Sequence, residues 1–150
     1  MYTLENNILK IGIKKIGAEL CQISSINNRN EFMWDANPAI WANHAPNLFP
    51  IIGALKEDSY RFKNKKYTMT KHGFIRNNKD IALHEKTKDS LTFKLSHNEM
   101  TLESYPFKFE FYITYKLTNN SIEVIHTIKN VDTKTMYFSL VRTFPIFCSP

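Results

Sequence analysis

The chain has 150 residues but only two cysteines and four glycines, and no apolar run long enough to cross a bilayer. Each shortage excludes something. Cys21 and Cys148 show no metal-ligand spacing and are too few for a disulfide framework, which fits a reducing compartment. The glycines are not grouped, so no phosphate-cradling loop exists, and no nucleophile elbow appears. No set of His, Cys and carboxylate residues has zinc spacing, so neither a metal nor another cofactor is expected. The opening MYTLENN lacks the basic and apolar regions of a signal peptide, and the expectation is a cytoplasmic protein that does not bind membranes. No helix of normal length can be placed. The best candidate, Asn98 to Tyr105, is short and stopped by Pro106. With no linker, low-complexity tract or repeat of fixed period, residues 1–150 read as a single domain.

What is present points to sheets. Hydrophobic residues make up 43% of the chain, and eleven Phe with seven Tyr favour strands. A chain of this size buries about two thirds of its unfolded surface, enough for a core. Period two dominates: Phe107, Phe109, Phe111, Ile113, Tyr115 and Leu117 fall on one strand face, with Lys108, Glu110, Lys116 and Thr118 on the other. Asn119 and Asn120 turn the chain into a return strand carrying Ile122, Val124, His126 and Ile128. Further hairpins are expected around Lys63-Asn64 and around Asp89. ILKIGI and AELCQISSI read as strands near the start, and NNRN turns the chain into EFMW. The fold class expected is an all-β, antiparallel β-sandwich. The net charge of +6 is scattered between apolar positions, which describes a solvated surface better than a nucleic-acid stripe.

One segment breaks the alternation. WANHAPNLFPIIGALKEDSY holds two prolines and a glycine among apolar residues and cannot be a regular central strand. It either lines a cleft or crosses between sheets. Of the five histidines, His84 and His97 lie among charged hairpin residues and His126 on an apolar strand face, where packing is the simpler role. His44, with Asn43 beside it, and His72 stand in irregular segments where side chains converge on ligands.

The string HAPNLFPIIGALKEDSYRFKNKKYTMTKHGFIRN, then SLTFKLS, YPFKFEFYITYKL and KNVDTKTMYFSL, resembles the LacX-type branch of the aldose 1-epimerases, the galactose mutarotase-like proteins, from about Leu4 to Leu140. The resemblance implies the N-terminal half of a carbohydrate-binding β-supersandwich whose complete members are considerably longer. It also implies an enzyme that interconverts the α and β anomers of a hexose or a sugar phosphate. Opening a hemiacetal ring requires a base at the anomeric hydroxyl and an acid at the ring oxygen, both within hydrogen-bond reach. The histidine of the family's HGF motif matches His72, which the resemblance makes the catalytic candidate. Arg76 of the same motif, His44 and Asn43 are the substrate-binding candidates.

Two departures qualify that implication. Where the family carries an arginine after the glycine of FPIIG, this chain has Ala54. Where it continues TMYFSL with a glycine, a small residue and the general-acid histidine, this chain has Val141, Arg142 and Thr143. A threonine hydroxyl cannot replace imidazole as an acid near neutral pH. The family's aspartate and glutamate base would lie further downstream. Loss of one nucleotide would account for the change, since GTG CGC AC preceded by G reads GGT GCG CAC, or Gly-Ala-His; an intact frame with unrelated codons would sink this explanation. Catalysis by this chain alone is therefore open. A non-catalytic sugar-binding remnant and a basic β-domain for nucleic acid are the alternatives, and uncovered sheet edges would favour oligomers.

Overall fold

The computed structural model describes residues 1–143. The chain opens with a three-stranded antiparallel sheet of β1 (Tyr2–Glu5), β2 (Leu9–Ile13) and β3 (Leu20–Ser25). After it, Ser24 and Glu31 form an isolated bridge, so EFMW does not become a strand. The short β4 (Asn47–Leu48) follows, then a hairpin of β5 (Ser59–Phe62) and β6 (Lys65–Thr68). Its turn is Lys63-Asn64, both at positive φ (46° and 62°), the backbone that a tight two-residue hairpin requires.

The larger sheet has the order β10-β9-β8-β7. It consists of β7 (Ala82–Lys86), β8 (Ser90–Ser96), β9 (Phe109–Thr118) and β10 (Ser121–Asn130). Between β8 and β9 lies α1 (Glu99–Ser104), the only α-helix among the described residues. The Asn98 side chain accepts from the Thr101 amide at 2.9 Å, while the Thr101 hydroxyl accepts from the Asn98 amide at 2.9 Å. That reciprocal cap satisfies two of the donors a helix start leaves open. The helix ends at Tyr105, which is already extended because Pro106 disfavours helical backbone before it. A further strand, β11 (Val141–Arg142), returns to pair with β4.

The alternation in β9 is strict: Phe109, Phe111, Ile113, Tyr115 and Leu117 are all buried. They form one core cluster with Leu91, Phe93 and Leu95 of β8 and with Ile11, Ile13, Leu20 and Ile23 of the first sheet. The two sheets thus face one another, as the Tyr2 and Phe93 rings, 5.2 Å apart, also show. This is the expected all-β, antiparallel sandwich. Phe49, fully buried, is surrounded by Phe74, Tyr105, Phe109, Phe111 and Phe138, with ring centroids from 5.3 to 6.0 Å away. Truncating such a ring costs about 3–5 kcal/mol, so Phe49 anchors the irregular segment in the core.

Candidate functional site

The irregular segment does both things its sequence allowed. Residues 45–50 are buried and cross the molecule, whereas residues 52–54 emerge on the surface. The crossing part is flanked on one side by β11, with Arg142 opposite Asn47 and Val141 opposite Leu48, and the Ser139 amide donates to the Pro50 carbonyl at 2.8 Å. On the other side Phe49 bridges to Gly73 in parallel.

His72 sits at the downstream end. It and Gly73 both have φ of 72°, two consecutive left-handed residues that fold the chain back against the crossing segment. Only glycine fits at 73, because a Cβ there would lie 2.2 Å from the Phe49 carbonyl oxygen. The amide of His72 donates to the Gly53 carbonyl at 2.9 Å, and its Nδ1 lies 2.7 Å from the Ile52 carbonyl. A carbonyl only accepts, so Nδ1 carries the proton and, in the neutral ring, Nε2 carries the lone pair. The ring is therefore aimed by its backbone neighbours while its second nitrogen stays available. Space exists beside it: a Cβ built on Gly53 would meet nothing within 4 Å, and Ala54 projects no cation there. Pro50 and Ile51 also border a cavity of about 370 Å³ walled by Tyr60, Phe62, Phe107 and Tyr137. Burial, with Tyr67 nearby, pushes the Tyr60 hydroxyl up to about 12, so it stays a neutral donor to the Ser104 carbonyl at 2.8 Å.

His44 and Asn43 lie at the upstream end, both half-buried. The His44 amide donates to Glu19 Oε1 at 2.8 Å, and Lys14 holds the other carboxylate oxygen at 2.6 Å. The His44 Nδ1 is buried without a partner, and burial, reinforced by the charge of Lys14, lowers its pKa and keeps the ring neutral. Arg76 is half-buried, and its carbonyl packs so closely on Gly17 that a Cβ there would come within 2.5 Å. Its Nε is buried without a partner. Among the described residues no hydrogen bond joins His72 to His44, Asn43 or Arg76. His72 bonds to the downstream end of the crossing segment and His44 stands at its upstream end, while the backbone of Arg76 packs against Gly17.

At the centre stands a residue that sequence reasoning passed over. Asn47 is fully buried, and its Nδ2 donates to the carbonyls of Gly17 at 2.9 Å and Ala18 at 3.3 Å. Its Oδ1 faces His126 Nε2 at 3.1 Å, which fixes the proton of that imidazole on Nε2. Burial, and secondarily the charge of Arg142, pushes His126 down to about 4. Tyr115 donates to the Ala18 carbonyl at 2.6 Å, and the Arg142 guanidinium lies 4.9 Å from the Tyr115 ring centre. The one available signal was an asparagine between two prolines in an apolar stretch. His97, which the sequence places among charged hairpin residues, is half-buried with Nδ1 3.2 Å from the Phe109 carbonyl.

This arrangement has close counterparts. The sequence model of the aldose 1-epimerase family matches residues 1–141. The chromosomal LacX protein of Lactococcus lactis subsp. lactis is 30% identical over 98% of this chain and 50% of its own length. A galactose mutarotase related enzyme of Lactobacillus acidophilus superposes with a TM-score of 0.89 at 47% identity, over 93% of this chain and 46% of that one. A galactose mutarotase-like protein of Lactobacillus casei does so with a TM-score of 0.88 at 38% identity, over 93% and 47%. The chain spans about half the length of the relatives it matches. It belongs to the aldose 1-epimerase family and has the galactose mutarotase-like β-sandwich fold.

Proposed function

We propose that this chain is the N-terminal half of a LacX-type aldose 1-epimerase domain, acting in the cytoplasm on a hexose or a sugar phosphate, with His72 at the ring oxygen of the sugar. The observation that carries this reading is the imidazole of His72: Nδ1 is committed to the Ile52 carbonyl at 2.7 Å and Nε2 is left over. Nε2 would hydrogen-bond the sugar near the ring oxygen, beside the general-acid histidine that the family resemblance puts at the position of Thr143. Anomer exchange then needs a second group to take the proton from the anomeric hydroxyl, and after ring closure on the other face of the carbonyl carbon the protons return. Arg76, Asn43 and His44 would hold sugar hydroxyls.

A second reading, sugar binding without catalysis, is favoured by Thr143. It stands where the family resemblance puts the general-acid histidine. Each general acid or base contributes roughly 100-fold to 10,000-fold, so a chain lacking one retains little rate. Polarimetry of freshly dissolved α-galactose and α-glucose tests both. The expected result is the uncatalysed rate for the 150-residue chain. A chimera should be fast when residues 1–140 are continued by the downstream half of the Lactobacillus acidophilus enzyme. Sugar titration followed by calorimetry detects binding without turnover, and binding to random DNA that weakens with salt would favour the nucleic-acid alternative. If the 150-residue chain alone equals the chimera, the chemistry resides in residues other than those named.

A further inference from the structure

The backbone on the two sides of His72 is fastened unequally. Downstream, Gly73 is buried, and the amides of Phe74 and Ile75 both donate to the Phe49 carbonyl, at 3.1 and 3.4 Å. Upstream, Met69 is buried and its amide donates to the Asp58 carbonyl at 2.8 Å. Between these anchors Thr70 and Lys71 are exposed, and among the described residues no hydrogen bond holds Lys71. Thr70 closes the gap. Its carbonyl accepts from the Gly73 amide at 2.9 Å, and its hydroxyl donates to the Gly73 carbonyl at 3.1 Å. Among the described residues it is the one side chain that bonds the backbone of residues 70–73.

The turn needs that clip because of the residue it carries. His72 occupies the third position at a φ of 72°, a place that favours glycine or asparagine. A larger side chain held there is strained. Opening the turn relieves the strain, but it also takes the His72 amide away from the Gly53 carbonyl and swings Cβ out of line with the Ile52 carbonyl. Opening lengthens the distance from Thr70 to Gly73, so the hydroxyl bond opposes it.

We propose that Thr70 is the positioning residue for His72: by closing the turn, its hydroxyl holds the imidazole against the Ile52 carbonyl and so keeps the proton on Nδ1. Histidine in water mostly carries its neutral proton on Nε2, so the aimed ring is held in the minority form. That form leaves Nε2 to the sugar, a consequence that rests on the reading of His72 as the sugar contact. Every group involved lies between Phe49 and Ile75.

Long-range nitrogen–proton NMR correlations of the imidazole rings provide the test. They are recorded on the unaltered chain at about pH 9, where imidazole is neutral, and assigned with the His72→Gln variant. The proton of His72 is expected on Nδ1. Thr70→Val keeps the shape of the side chain and removes the donor. It should raise the ratio of the Nε2–H form to the Nδ1–H form at least about threefold, the effect of losing one weak hydrogen bond. Thr70→Ala should do the same, and Thr70→Ser, which keeps the hydroxyl, should match the unaltered chain. Thr70 is exposed, so none of these variants disturbs the core. A threonine that only supports the fold would lower the denaturant midpoint without moving the proton, and that result overturns the proposal. A His72 proton found on Nε2 in the unaltered chain also overturns it, as does a serine variant that behaves like the valine one. No sugar is present in these spectra. A ring that responds to Thr70 as expected, in a protein whose chimera ignores His72→Gly, would support the positioning and remove only the sugar reading.

Discussion

The two ends of the crossing segment hold polar groups to opposite purposes. At the upstream end Asn47, His126, Tyr115 and the carbonyls of Gly17 and Ala18 satisfy one another inside the protein, and Glu19 is occupied by Lys14 and the His44 amide. At the downstream end the backbone spends two carbonyls, those of Ile52 and Gly53, on positioning a single histidine. A closed network is a scaffold, because adding a ligand would break bonds already made. An aimed side chain with one nitrogen left over is what a ligand requires. The difference separates the candidates: the ring of His72 is aimed at the open end, whereas at the closed one it is the backbone amide of His44, and not its ring, that is engaged.

The sharpest way to break the comparison is at the joint between the ends. Gly73→Ala would force a Cβ to 2.2 Å from the Phe49 oxygen at a φ of 72°. Both partners are backbone and cannot swing away. A loss of at least about 3 kcal/mol is expected, read as a lower denaturant midpoint or as failure to fold. An Ala variant with an unchanged midpoint would show that the turn is not anchored to Phe49.

Next in size is Asn47→Ala, which takes the side-chain donor from the Gly17 carbonyl and the acceptor from His126, while the Ala18 carbonyl keeps the Tyr115 hydroxyl. Leaving buried groups unpaired costs about 1–3 kcal/mol each before relaxation, so a total near 3 kcal/mol is expected from chemical denaturation. A cost below about 1 kcal/mol would mean that water enters and replaces the amide.

The closed end also sets a pH dependence. His126 is held near 4 in the folded protein, against an unfolded value of about 6.5, and His44 is shifted in the same direction. The unfolded chain therefore takes up protons first as pH falls. Stability is complete above about pH 6.5 and declines towards pH 4, where the folded state begins to protonate too; about 2 kcal/mol is the expected loss. His126→Gln keeps a donor for Asn47 and should flatten the decline over this window. Half-buried Glu110 and Asp132, both with lowered values, act only at lower pH.

Legibility in the sequence followed the range of the interactions. The burial of alternate residues in β9, the Lys63-Asn64 turn and the capped helix after Asn98 depend on neighbours a few positions away, and periodicity or turn chemistry exposes them. The network around Asn47 joins residues 30 and 79 positions apart, with no period to announce it. His72 was legible as a candidate from its glycine neighbour and its family motif, but its aim was not, since the carbonyl that fixes the ring lies 20 positions upstream. EFMW failed as a strand although its composition suits one, because only Glu31 and Met33 find bridging positions.

The smallest effect on stability should accompany the largest effect on chemistry. His72→Ala removes one bond to the Ile52 carbonyl, worth about 1 kcal/mol, and leaves the positive φ as it was. His72→Gly also loses the bond but relieves the left-handed backbone, about 1 kcal/mol in the other direction, so its midpoint should match the unaltered protein. In the chimera that supplies the downstream half, both variants should lose at least about 100-fold in mutarotation rate, the contribution of one general acid or base. Loss of rate with an unchanged midpoint would separate a residue that acts on substrate from one that holds the fold. Equal rates for His72→Gly and the parent chimera would instead return His72 to the role of a bend.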